Sequence, residues 1–541
     1  MKKVGLFTSV LLLCCNIGLF AQGNQIDAYT LSNTELGGTA RSMAMGGAFG
    51  ALGGDLSVIS SNPAGLGIYR SSEISGGLDL SMANTSTNWS GVSTDQNKTR
   101  FALNNFGFEL YFPTSSGSIR NWNLGFSYNR VKNYNRRYKM SNRGQEYSMA
   151  DYAAWRASNA YGPGVGIPES NLTYQEGRYN PYDNMPWLPV LGYESGMFNN
   201  QYGANGEYHS DFGFWDEDTW MIYMPNESHL SVNESGHMDE YNIGFGMNIS
   251  NFLFLGASVS VTDINYKYAS FYTDRFYAES ETRDDDLYLE NWLNTEGTGV
   301  SLNIGAIMNL QMLRLGVAYN TPRMYDMTDY FDARAGTYNN SYEEPELEAG
   351  VPEQSYSEYR FRTPGKWIFS GALILGQSAL ISADYELVNY KDMEYLSRRD
   401  DSDDMEFPEN DNIDADYTWA HTLKLGAEIK VTPQFAVRAG YMMQTSPMRE
   451  DLANNNVEVL PSGTLPHFTV TSKPVNYYTV GLGYRFTPNF YMDLACVYRY
   501  HSANAYAFSN TYYDGEVDVE SIPASLKTKK TNLALTLGYK F

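Results

Sequence analysis

The chain has 541 residues and a formal net charge of −24, and aromatic residues make up 15% of it. This acidic balance excludes nucleic acid as an expected partner, because phosphate backbones attract clusters of Lys and Arg. No stretch after the N-terminal leader approaches the roughly 18 consecutive apolar residues of a membrane helix. A polar, aromatic-rich and glycine-rich chain of this kind is typical of a transmembrane β-barrel, in which only alternate residues meet lipid.

Residues 1–21 have the pattern of a secretory signal peptide, with a charged start, an apolar run and a small-residue exit. Cys14 and Cys15 lie inside the apolar run, where Leu13 replaces the small residue that a lipoprotein signal needs, so a lipid anchor is not favoured. Removing the leader leaves Cys496 as the single cysteine. An exported chain with one thiol has no internal disulfide framework, and its stability must come from the fold itself.

Residues 22–70 show little strand alternation and are rich in Gly, Ala, Ser and Met. Within them, residues 39–52 roughly follow the spacing of one or two short helices, which Gly46-Gly47 would interrupt. Asn62-Pro63-Ala64-Gly65 is a turn sequence, because proline fixes φ and glycine accepts positive φ. A wide barrel encloses more space than its own side chains fill. We therefore predict that residues 22–70 form a hatch, or plug, inside a barrel lumen.

Residues 71–541 are predicted to form an all-β, transmembrane antiparallel β-barrel of about 14 strands, because apolar and polar side chains alternate in successive segments. The predicted strands are 71–83, 101–112, 121–139, 237–249, 253–276, 297–308, 313–325, 358–375, 378–393, 417–431, 435–446, 474–486, 490–506 and 526–541. The last one carries Leu533, Leu535, Leu537, Tyr539 and Phe541 at alternate positions. This pattern indicates a closing strand, through which the barrel-assembly machinery would engage the chain.

The gaps between the predicted strands are alternately long and short. Tight turns such as Thr432-Pro433-Gln434 and Thr487-Pro488-Asn489 fill every second gap, and the gaps between them are long and polar, the largest being 140–236. A soluble sandwich has no reason to sort its loops in this way, whereas an outer-membrane barrel has short periplasmic turns and long extracellular loops. The pattern predicts a protein of the outer membrane of a Gram-negative bacterium.

The loop 140–236 is unusually apolar for an exposed segment. Its apolar side chains include Trp187, Leu188, Val190, Leu191, Phe214, Trp215, Trp220 and Met221. Large exposed apolar patches mark binding surfaces, so all of these except Val190 and Met221 are candidate substrate-binding residues. The favoured alternative, which is compatible with the first, is that a long loop needs a small core of its own above the barrel mouth.

Other parts of the chain offer further candidate sites. Asp400, Asp401, Asp403 and Asp404 in the loop 398–416 supply oxygen ligands for calcium. They lack the spacing and the glycine of an EF-hand, so a solvated acidic loop is favoured. His209 and His229 are the candidates for haem capture, although scattered histidines are usually ordinary surface residues. The sequence has no metal-ligand pairing, nucleotide loop or catalytic constellation, and we predict neither a metal, nor a cofactor, nor an enzyme.

The run ARSMAMGGAFGALGGDLSVISSNPAGLG at residues 40–67 resembles the N-terminal hatch of the fatty-acid transporter group, the FadL/OmpP1/TodX-like outer-membrane proteins. Barrel segments such as GLGYRFTPNFYMDLA at 481–495 are similar as well, and the loops are not. The resemblance implies passive uptake of hydrophobic molecules such as long-chain fatty acids, which reach a pocket in the barrel and leave through the wall when the hatch shifts. The family's Asn-Pro-Ala signature falls on Asn62, Pro63 and Ala64. It would act as a gating hinge together with Gly65, or equally as an ordinary turn that packs the plug.

In that family a kink in the third strand opens the wall. The third predicted strand here is basic in its second half, with Arg130, Lys132, Arg136 and Arg137. About 9–11 residues span the bilayer core, so the strand leaves the membrane near Val131. Length therefore argues against reading this basic stretch as the kink, and we predict that its basic residues contact lipopolysaccharide phosphates outside. The sequence leaves open whether the wall has a lateral opening.

The sequence is compatible with two functions of different classes. The first is a transporter of hydrophobic small molecules, which needs a continuous apolar pocket from the loop mouth to the hatch and an exit. The second is a receptor or scaffold barrel, for haem capture or for protein secretion and surface attachment, which needs only an exposed partner surface. In either case we expect outer-membrane lipid and lipopolysaccharide as partners and a monomeric protein.

Overall fold

The structure is a computed structural model that describes residues 23–115, 117–200, 206–216, 219–277, 284–351, 355–398, 407–513 and 516–541, with the backbone alone for 214–216 and 219–220. The predicted leader at 1–21 and the calcium candidates Asp400, Asp401, Asp403 and Asp404 lie outside these residues. Within them, no helix is long and apolar enough to cross a bilayer.

The described residues form a closed barrel wall of 14 antiparallel strand crossings, as predicted. The last strand pairs with the first, from Lys540 against Glu73 to Ser525 against Asn88, and so completes the ring. Several crossings are divided into two strands. The strands are β1 Glu73–Trp89, β2 Val92–Pro113, β3 Ile119–Asn133, β4 Arg136–Arg143, β5 Phe198–Asn199, β6 His209–Ser210, β7 Gly213–Asp216, β8 Thr219–Ile222, β9 Glu227–Ile249, β10 Leu253–Phe276, β11 Asp285–Leu310, β12 Leu313–Asn320, β13 Met324–Tyr338, β14 Glu346–Gly350, β15 Ser355–Arg362, β16 Lys366–Leu375, β17 Ala379–Asn389, β18 Glu394–Leu396, β19 Trp419–Lys430, β20 Phe435–Gln444, β21 Phe468–Val470, β22 Val475–Arg485, β23 Phe490–Tyr506, β24 Thr511–Tyr513, β25 Glu516–Val519 and β26 Ala524–Lys540.

We call the end of the barrel that carries the long loops the loop end, and the opposite end the turn end. At the loop end the wall extends further than predicted. β1 and β2 form one hairpin that turns at Ser90 and Gly91, both with positive φ. Most of the gap predicted at 84–100 is therefore strand. Its side chains are polar on both faces, which removes the alternation from which strands are recognised.

The third crossing differs from the continuous strand predicted over 121–139. It divides into β3 and β4, and the pairing of β3 with β9 shifts register between Arg130 and Lys132, which leaves Val131 as a bulge. The prediction of one continuous strand over 121–139 is therefore wrong. Alternation reports which face a residue occupies, but not which partner it pairs with, so a bulge of one residue leaves little trace in the sequence.

Short helices make up the hatch and part of the loop end. They are α1 Gln25–Ser32, α2 Ala40–Ala44, α3 Val58–Ser61, α4 Met149–Ser158, α5 Glu169–Leu172, α6 Trp187–Glu194, α7 Pro408–Asp416 and α8 Glu450–Ala453, with 3₁₀ helices at Pro63–Ile68, Pro181–Asp183 and Tyr390–Asp392. α2 ends just before Gly46 and Gly47, whose φ values are 63° and 76°. This is the interruption that the sequence predicts.

Residues 23–70 fill the lumen and contact different sides of the wall. The backbone N–H of Ala40 donates to Thr536 Oγ1 on β26 at 2.9 Å, and that of Gly50 donates to Asp384 Oδ2 on β17 at 2.8 Å. The wall has glycines where the hatch backbone comes closest. A Cβ on Gly256 would lie 2.2 Å from the carbonyl carbon of Pro63, so any larger residue there would push the hatch away.

A cap closes the loop end of the barrel. It consists of the described residues of 144–226, 390–418, 447–474 and 507–523. Its buried apolar side chains form one hydrophobic cluster that continues into the lumen and includes Ile26 of α1. This continuity means that the cap and the start of the hatch share a core.

The hatch runs along the whole bore. At the loop end, the hydroxyls of Tyr395 and Tyr417 in the cap donate to the backbone carbonyls of Asn24 and Gln25, at 3.0 and 2.9 Å. At the turn end, Arg70 Nη2 donates to Asn251 Oδ1 at 2.7 Å. The segment is therefore anchored at both ends of the barrel.

Candidate functional site

A cavity of about 130 Å³ lies in the lumen below the cap, and we call it the upper cavity. Its lining comes from α1 and the residues after it, from the junction of β3 and β4, from the cap, from β1 and β9, and from the loop-end halves of β23 and β26. The cavity is thus the place where the hatch, the cap and the wall meet.

The upper cavity has an excess of positive charge. The charged side chains of its lining are the cations Lys132, Arg136, Arg499 and Lys530 and the carboxylates Glu35 and Glu234. Arg136 is ion-paired with Glu234, and Lys530 Nζ donates to Glu35 Oε2 at 2.6 Å. In a chain whose net charge is −24, this local excess of cations favours an anionic group in the cavity.

Most of the basic residues of the third crossing have partners within the protein. Arg130 Nε lies 2.8 Å from Asp239 Oδ1, and Lys132 Nζ donates to the carbonyl oxygen of Thr30 at 2.6 Å. Arg137 is exposed. The predicted contact with lipopolysaccharide phosphates therefore does not fit Arg130, Lys132 and Arg136, because these side chains bind inside the protein.

A second cavity of about 130 Å³, the lower cavity, lies between the hatch and wall residues of β3, β9, β12, β16, β17, β19 and β20. Its charges are balanced, because Arg323 is ion-paired with Glu240 and Lys424 Nζ lies 2.6 Å from Glu386 Oε1. Glu35 lines both cavities. The two cavities are lined by charge pairs, unlike the continuous apolar pocket expected of a transporter.

The wall has a discontinuity between β2 and β3. Their pairing ends at Asn105 against Asn129, and among the described residues the part of β2 toward the loop end pairs with β1 alone. Bulges flank this point on both strands. The register of β1 with β2 skips Asn104, and that of β3 with β9 skips Val131. We call this discontinuity the seam.

Residues 33–38, here called the strap, lie across the seam. The backbone N–H of Glu35 donates to the carbonyl oxygen of Val131 at 2.8 Å. On the other side, the side-chain amide of Asn104 donates to the carbonyl oxygen of Gly38 at 2.6 Å. The strap therefore bonds to both edges of the seam, which Lys98 and Arg100 of β2 also cross by donating to the carbonyl oxygens of Glu234 and Gly236 at 2.6 and 2.9 Å.

The predicted hinge Asn62-Pro63-Ala64-Gly65 is a packed turn between the hatch and the wall. Asn62 is fully buried; its Nδ2 donates to the carbonyl oxygen of Gly50 at 2.7 Å, and its Oδ1 accepts from the backbone N–H of Ala64 at 3.2 Å. These contacts fix the turn in place. Its role as a hinge stays a prediction.

Three of the candidate substrate-binding residues lie on α6 in the core of the cap. Trp187 is 6%, Leu188 1% and Leu191 0% exposed. Trp187 Nε1 donates to the carbonyl oxygen of Tyr182 at 2.8 Å. This is the small core that the sequence favours for the long loop, and a binding role for these residues stays a prediction.

The other three candidates lie on the small sheet formed by β7 and β8. There the backbones of Phe214, Trp215 and Trp220 are described, and Trp215 pairs with Trp220. Their side chains lie outside the described atoms, so their role in binding also stays a prediction.

The described part of the chain contains no group of three or more His, Cys, Asp or Glu side chains placed to hold a metal ion. His229 Nδ1 is hydrogen-bonded to Ser141 Oγ at 2.9 Å, and His209 Nε2 lies 3.9 Å from Glu207 Oε1. A role of either histidine in haem capture stays a prediction.

Sequence reasoning missed the charged residues of the upper cavity. A signal was present for Lys530, because the outward apolar residues of the last strand have odd numbers and an even-numbered lysine must face the lumen. Nothing in the sequence could pair this lysine with Glu35, which lies 495 positions away.

Comparison with known proteins gives matches at the level of family and of fold. A family model described as outer membrane protein transport protein (OMPP1/FadL/TodX) matches residues 239–541. The crystal structure of a FadL homologue from Pseudomonas aeruginosa is 11% identical, with a TM-score of 0.50, and the match covers 94% of this chain and 99% of that one. A deltaS2 mutant of the monoaromatic hydrocarbon channel TodX is 12% identical, with a TM-score of 0.51 and coverage of 93% and 98%.

The toluene transporter TodX of P. putida is 12% identical with a TM-score of 0.47, and the match covers 93% of this chain and 99% of that one. At these identities the likeness concerns the fold alone. No curated protein sequence matches the chain.

Proposed function

Because this chain belongs to the outer membrane protein transport (OMPP1/FadL/TodX) family of Gram-negative bacteria, we propose that it takes up hydrophobic molecules passively and that its cargo carries an acidic group, as long-chain fatty acids do. The family consists of transport proteins, and the proposed activity needs no covalent chemistry. The cargo's hydrocarbon chain supplies the tendency to leave water, roughly 25 cal/mol for each Å² of apolar surface removed from it.

The excess of cations in the upper cavity is the observation that supports an acidic cargo. Lys132, Arg136, Arg499 and Lys530 converge there, with two carboxylates to balance them. A cargo carboxylate that enters the cavity would receive charge-assisted hydrogen bonds, which are about twice as strong as neutral ones. A purely apolar solute would instead leave the charge pairs of the lining without water or a new partner.

The seam supports an exit through the wall into the membrane. Phe101 and Leu103 on β2 lie beside it and are 66% and 47% exposed on the outer face, where lipid surrounds the barrel. A cargo that leaves between β2 and β3 would therefore pass directly from the upper cavity to lipid. In the closed state the strap fills this path, so the proposed transport requires movement of the strap.

The test measures bound lipids and uptake with the full-length protein. We expect native mass spectrometry of the purified protein to find fatty acids or related acidic amphiphiles. We also expect cells that express it to take up radiolabelled hexadecanoic acid faster than cells without it. Arg136→Gln should weaken the binding of hexadecanoic acid by about tenfold, because it removes one charged donor from the cavity.

If no amphiphile is bound and deletion leaves uptake unchanged, transport is excluded. The alternative of a receptor or attachment scaffold, which needs only the outer face of the cap, would then replace it.

We further propose that the barrel works as a monomer, since one chain closes the whole ring. Its partners would be the outer-membrane lipids around the wall and lipopolysaccharide at the loop end. β26, which pairs with β1 to close the ring, would be the strand that the barrel-assembly machinery engages. Crosslinking in native membranes, followed by gel electrophoresis, tests each of these contacts.

A further inference from the structure

Glu35 of the strap is held by cations from two wall strands. Its Oε2 accepts from Lys530 Nζ on β26 at 2.6 Å, and its Oε1 lies 3.7 Å from Arg499 Nη1 on β23. Its backbone N–H also donates to Val131 at the edge of the seam. One residue of the hatch therefore joins the cations of the upper cavity to the bond between the strap and the edge of the seam.

The carboxylate of Glu35 is an anion at any physiological pH. Burial alone would raise its pKa, but the nearby Lys530 and Arg499 outweigh this effect and lower the pKa to about 2. Lys530 is only 4% exposed. If Glu35 left without replacement, this ammonium group would remain in the protein without its anion, which is far more costly than a broken surface ion pair.

A second carboxylate removes this cost. An acidic group of a cargo in the upper cavity can bind Lys530 and Arg499 as Glu35 does, so that one anion replaces another and both cations remain paired. A neutral lipophile of the same length offers no such exchange. Movement of the strap is therefore far more costly with a neutral molecule in the cavity than with an acid.

We propose that Glu35 is the specificity-determining residue of transport: the acidic group of the cargo takes the place of its carboxylate at Lys530 and Arg499, and the released strap opens the seam. This inference rests on the proposed uptake function and adds to it the step at which the cargo is selected. Discrimination against neutral lipophiles arises at the opening of the seam and not only in binding. Acids pass, whereas the corresponding alcohols stay in the cavity or outside it.

The experiment compares the uptake of radiolabelled hexadecanoic acid and hexadecan-1-ol by cells that express the wild-type protein or Glu35→Gln, with cells lacking the protein as the baseline. The wild type should favour the acid over the alcohol by at least about tenfold, because only the acid compensates the buried cations. Glu35→Gln lacks the anion that must be displaced, and its ratio of acid to alcohol uptake should fall several-fold toward one. Glu35→Asp retains the charge and should restore most of the preference.

Two controls isolate the contribution of Glu35 from the total charge of the cavity and from a failure of assembly. Glu234→Gln makes the same change of charge in the same cavity, but on β9 of the wall and not on the strap. Because it leaves the strap intact, it should lower the ratio of acid to alcohol uptake less than Glu35→Gln does. The heat-dependent migration of the folded barrel on gels verifies that each variant is assembled. If Glu35→Gln does not assemble, Lys530→Gln removes the other half of the ion pair and should lower the preference in the same way.

The outcomes are distinct. An unchanged ratio in assembled Glu35→Gln, or in Lys530→Gln, overturns the role of Glu35 while leaving the uptake function in place. A wild-type protein that transports neither molecule overturns the proposed function and this inference together. A lost preference in Glu234→Gln as well assigns selection to the total charge of the cavity and contradicts the specific role of Glu35.

Discussion

The side-chain amide of Asn104 donates a hydrogen bond of 2.6 Å to the backbone carbonyl oxygen of Gly38, and it thereby ties the bulge of β2 to the strap. Asn104→Leu keeps the approximate size of the side chain and removes this bond. A buried hydrogen bond contributes about 0.5–1.5 kcal/mol, so we expect the open state of the seam to become about two- to tenfold more populated. The rate of hexadecanoic acid uptake should rise accordingly.

Asn97→Leu is the matched control on the same strand. Asn97 accepts from Asn84 at an exposed position of the β1–β2 hairpin, away from the strap. Its uptake rate should equal that of the wild type. Equal rates for the Asn104 variant as well would show that this bond does not hold the seam closed.

Gly37 sits so close to β3 that a side chain would displace the strap. A Cβ at this position would lie 2.6 Å from the carbonyl oxygen of Arg130, which is below any normal contact distance. Gly37→Ala should therefore separate the strap from β3 and open the seam even without cargo, which cells would report as sensitivity to large hydrophobic antibiotics. Gly371→Ala, where a Cβ has open space around it, should leave this sensitivity unchanged.

The lower part of the hatch is anchored by a buried ion-pair network. Glu428, which is 3% exposed, binds Arg41 of the hatch at 3.0 Å and Arg438 of β20 at 2.6 Å. Glu428→Gln leaves these guanidinium groups with too little negative charge, and removing one partner of a buried pair costs about 3–5 kcal/mol. We expect a loosened hatch, visible as current fluctuations through the protein in planar bilayers.

The exposed ion pair between Glu358 and Arg398 provides the comparison for this network. Exposed pairs contribute about 0–1 kcal/mol, so Glu358→Gln should produce no additional current. Similar currents from both variants would mean that the hatch does not depend on Glu428.

Asp151 at the start of α4 should make the stability of the cap depend on pH. Burial raises the pKa of its carboxyl to about 7, against the hydrogen bonds from Ser148 that lower it, and the nearby Asp274 also favours the protonated form. Because its pKa is higher in the folded protein, Asp151 contributes fully to the stability of the cap below the unfolded pKa near 4. This contribution is lost as the pH rises through 7. The cap should lose up to about 1.4 kcal/mol of stability for each pH unit in that window.

Thermal unfolding followed by the fluorescence of the cap tryptophans, at about pH 5 and pH 8, measures this slope. Asp151→Asn is neutral at both values and should unfold with a weaker dependence on pH. An equal slope in wild type and variant would assign the dependence to other groups.

Leu191 tests whether α6 holds the cap together. Its side chain is completely buried, and Leu→Ala at such sites costs about 2–5 kcal/mol. Leu191→Ala should therefore increase the rate at which proteases cleave the cap. Val165, 54% exposed in the same loop, can be changed to Ala as a control without an effect. Unchanged cleavage in the Leu191 variant would show that α6 is not part of a stabilising core.

The wall could be predicted from the sequence because every outward side chain within the membrane meets the same environment, the lipid. Residues such as Ile243 and Val480, 67% and 57% exposed on the outer face, are apolar where lipid is present, and their period of two is visible directly. Beyond the membrane both faces meet water, the period disappears, and strands such as the loop-end half of β2 are read as loops. The apolar content of the largest loop likewise indicated a core without showing which residues would form it.

The seam and the upper cavity could not be predicted in this way. Whether Asn105 is the last residue of β2 to pair with β3 depends on hydrogen bonds between strands, and alternation carries no information about partners. The same holds for Glu35, whose importance comes from cations that the ring closure brings to it. Local patterns thus predict the surface of such a protein better than its interior.

The course of the hatch constrains the order in which the molecule is assembled. α1 is enclosed by the cap above and the wall around it, and Arg70 leaves the bore at the opposite rim. A segment enclosed in this way cannot be threaded into a finished cylinder, so the ring has to form around it. Joining of β1 to β26 is therefore expected among the last steps of biogenesis, and a chain that lost α1 would be expected to close with only the loop end of its bore unfilled.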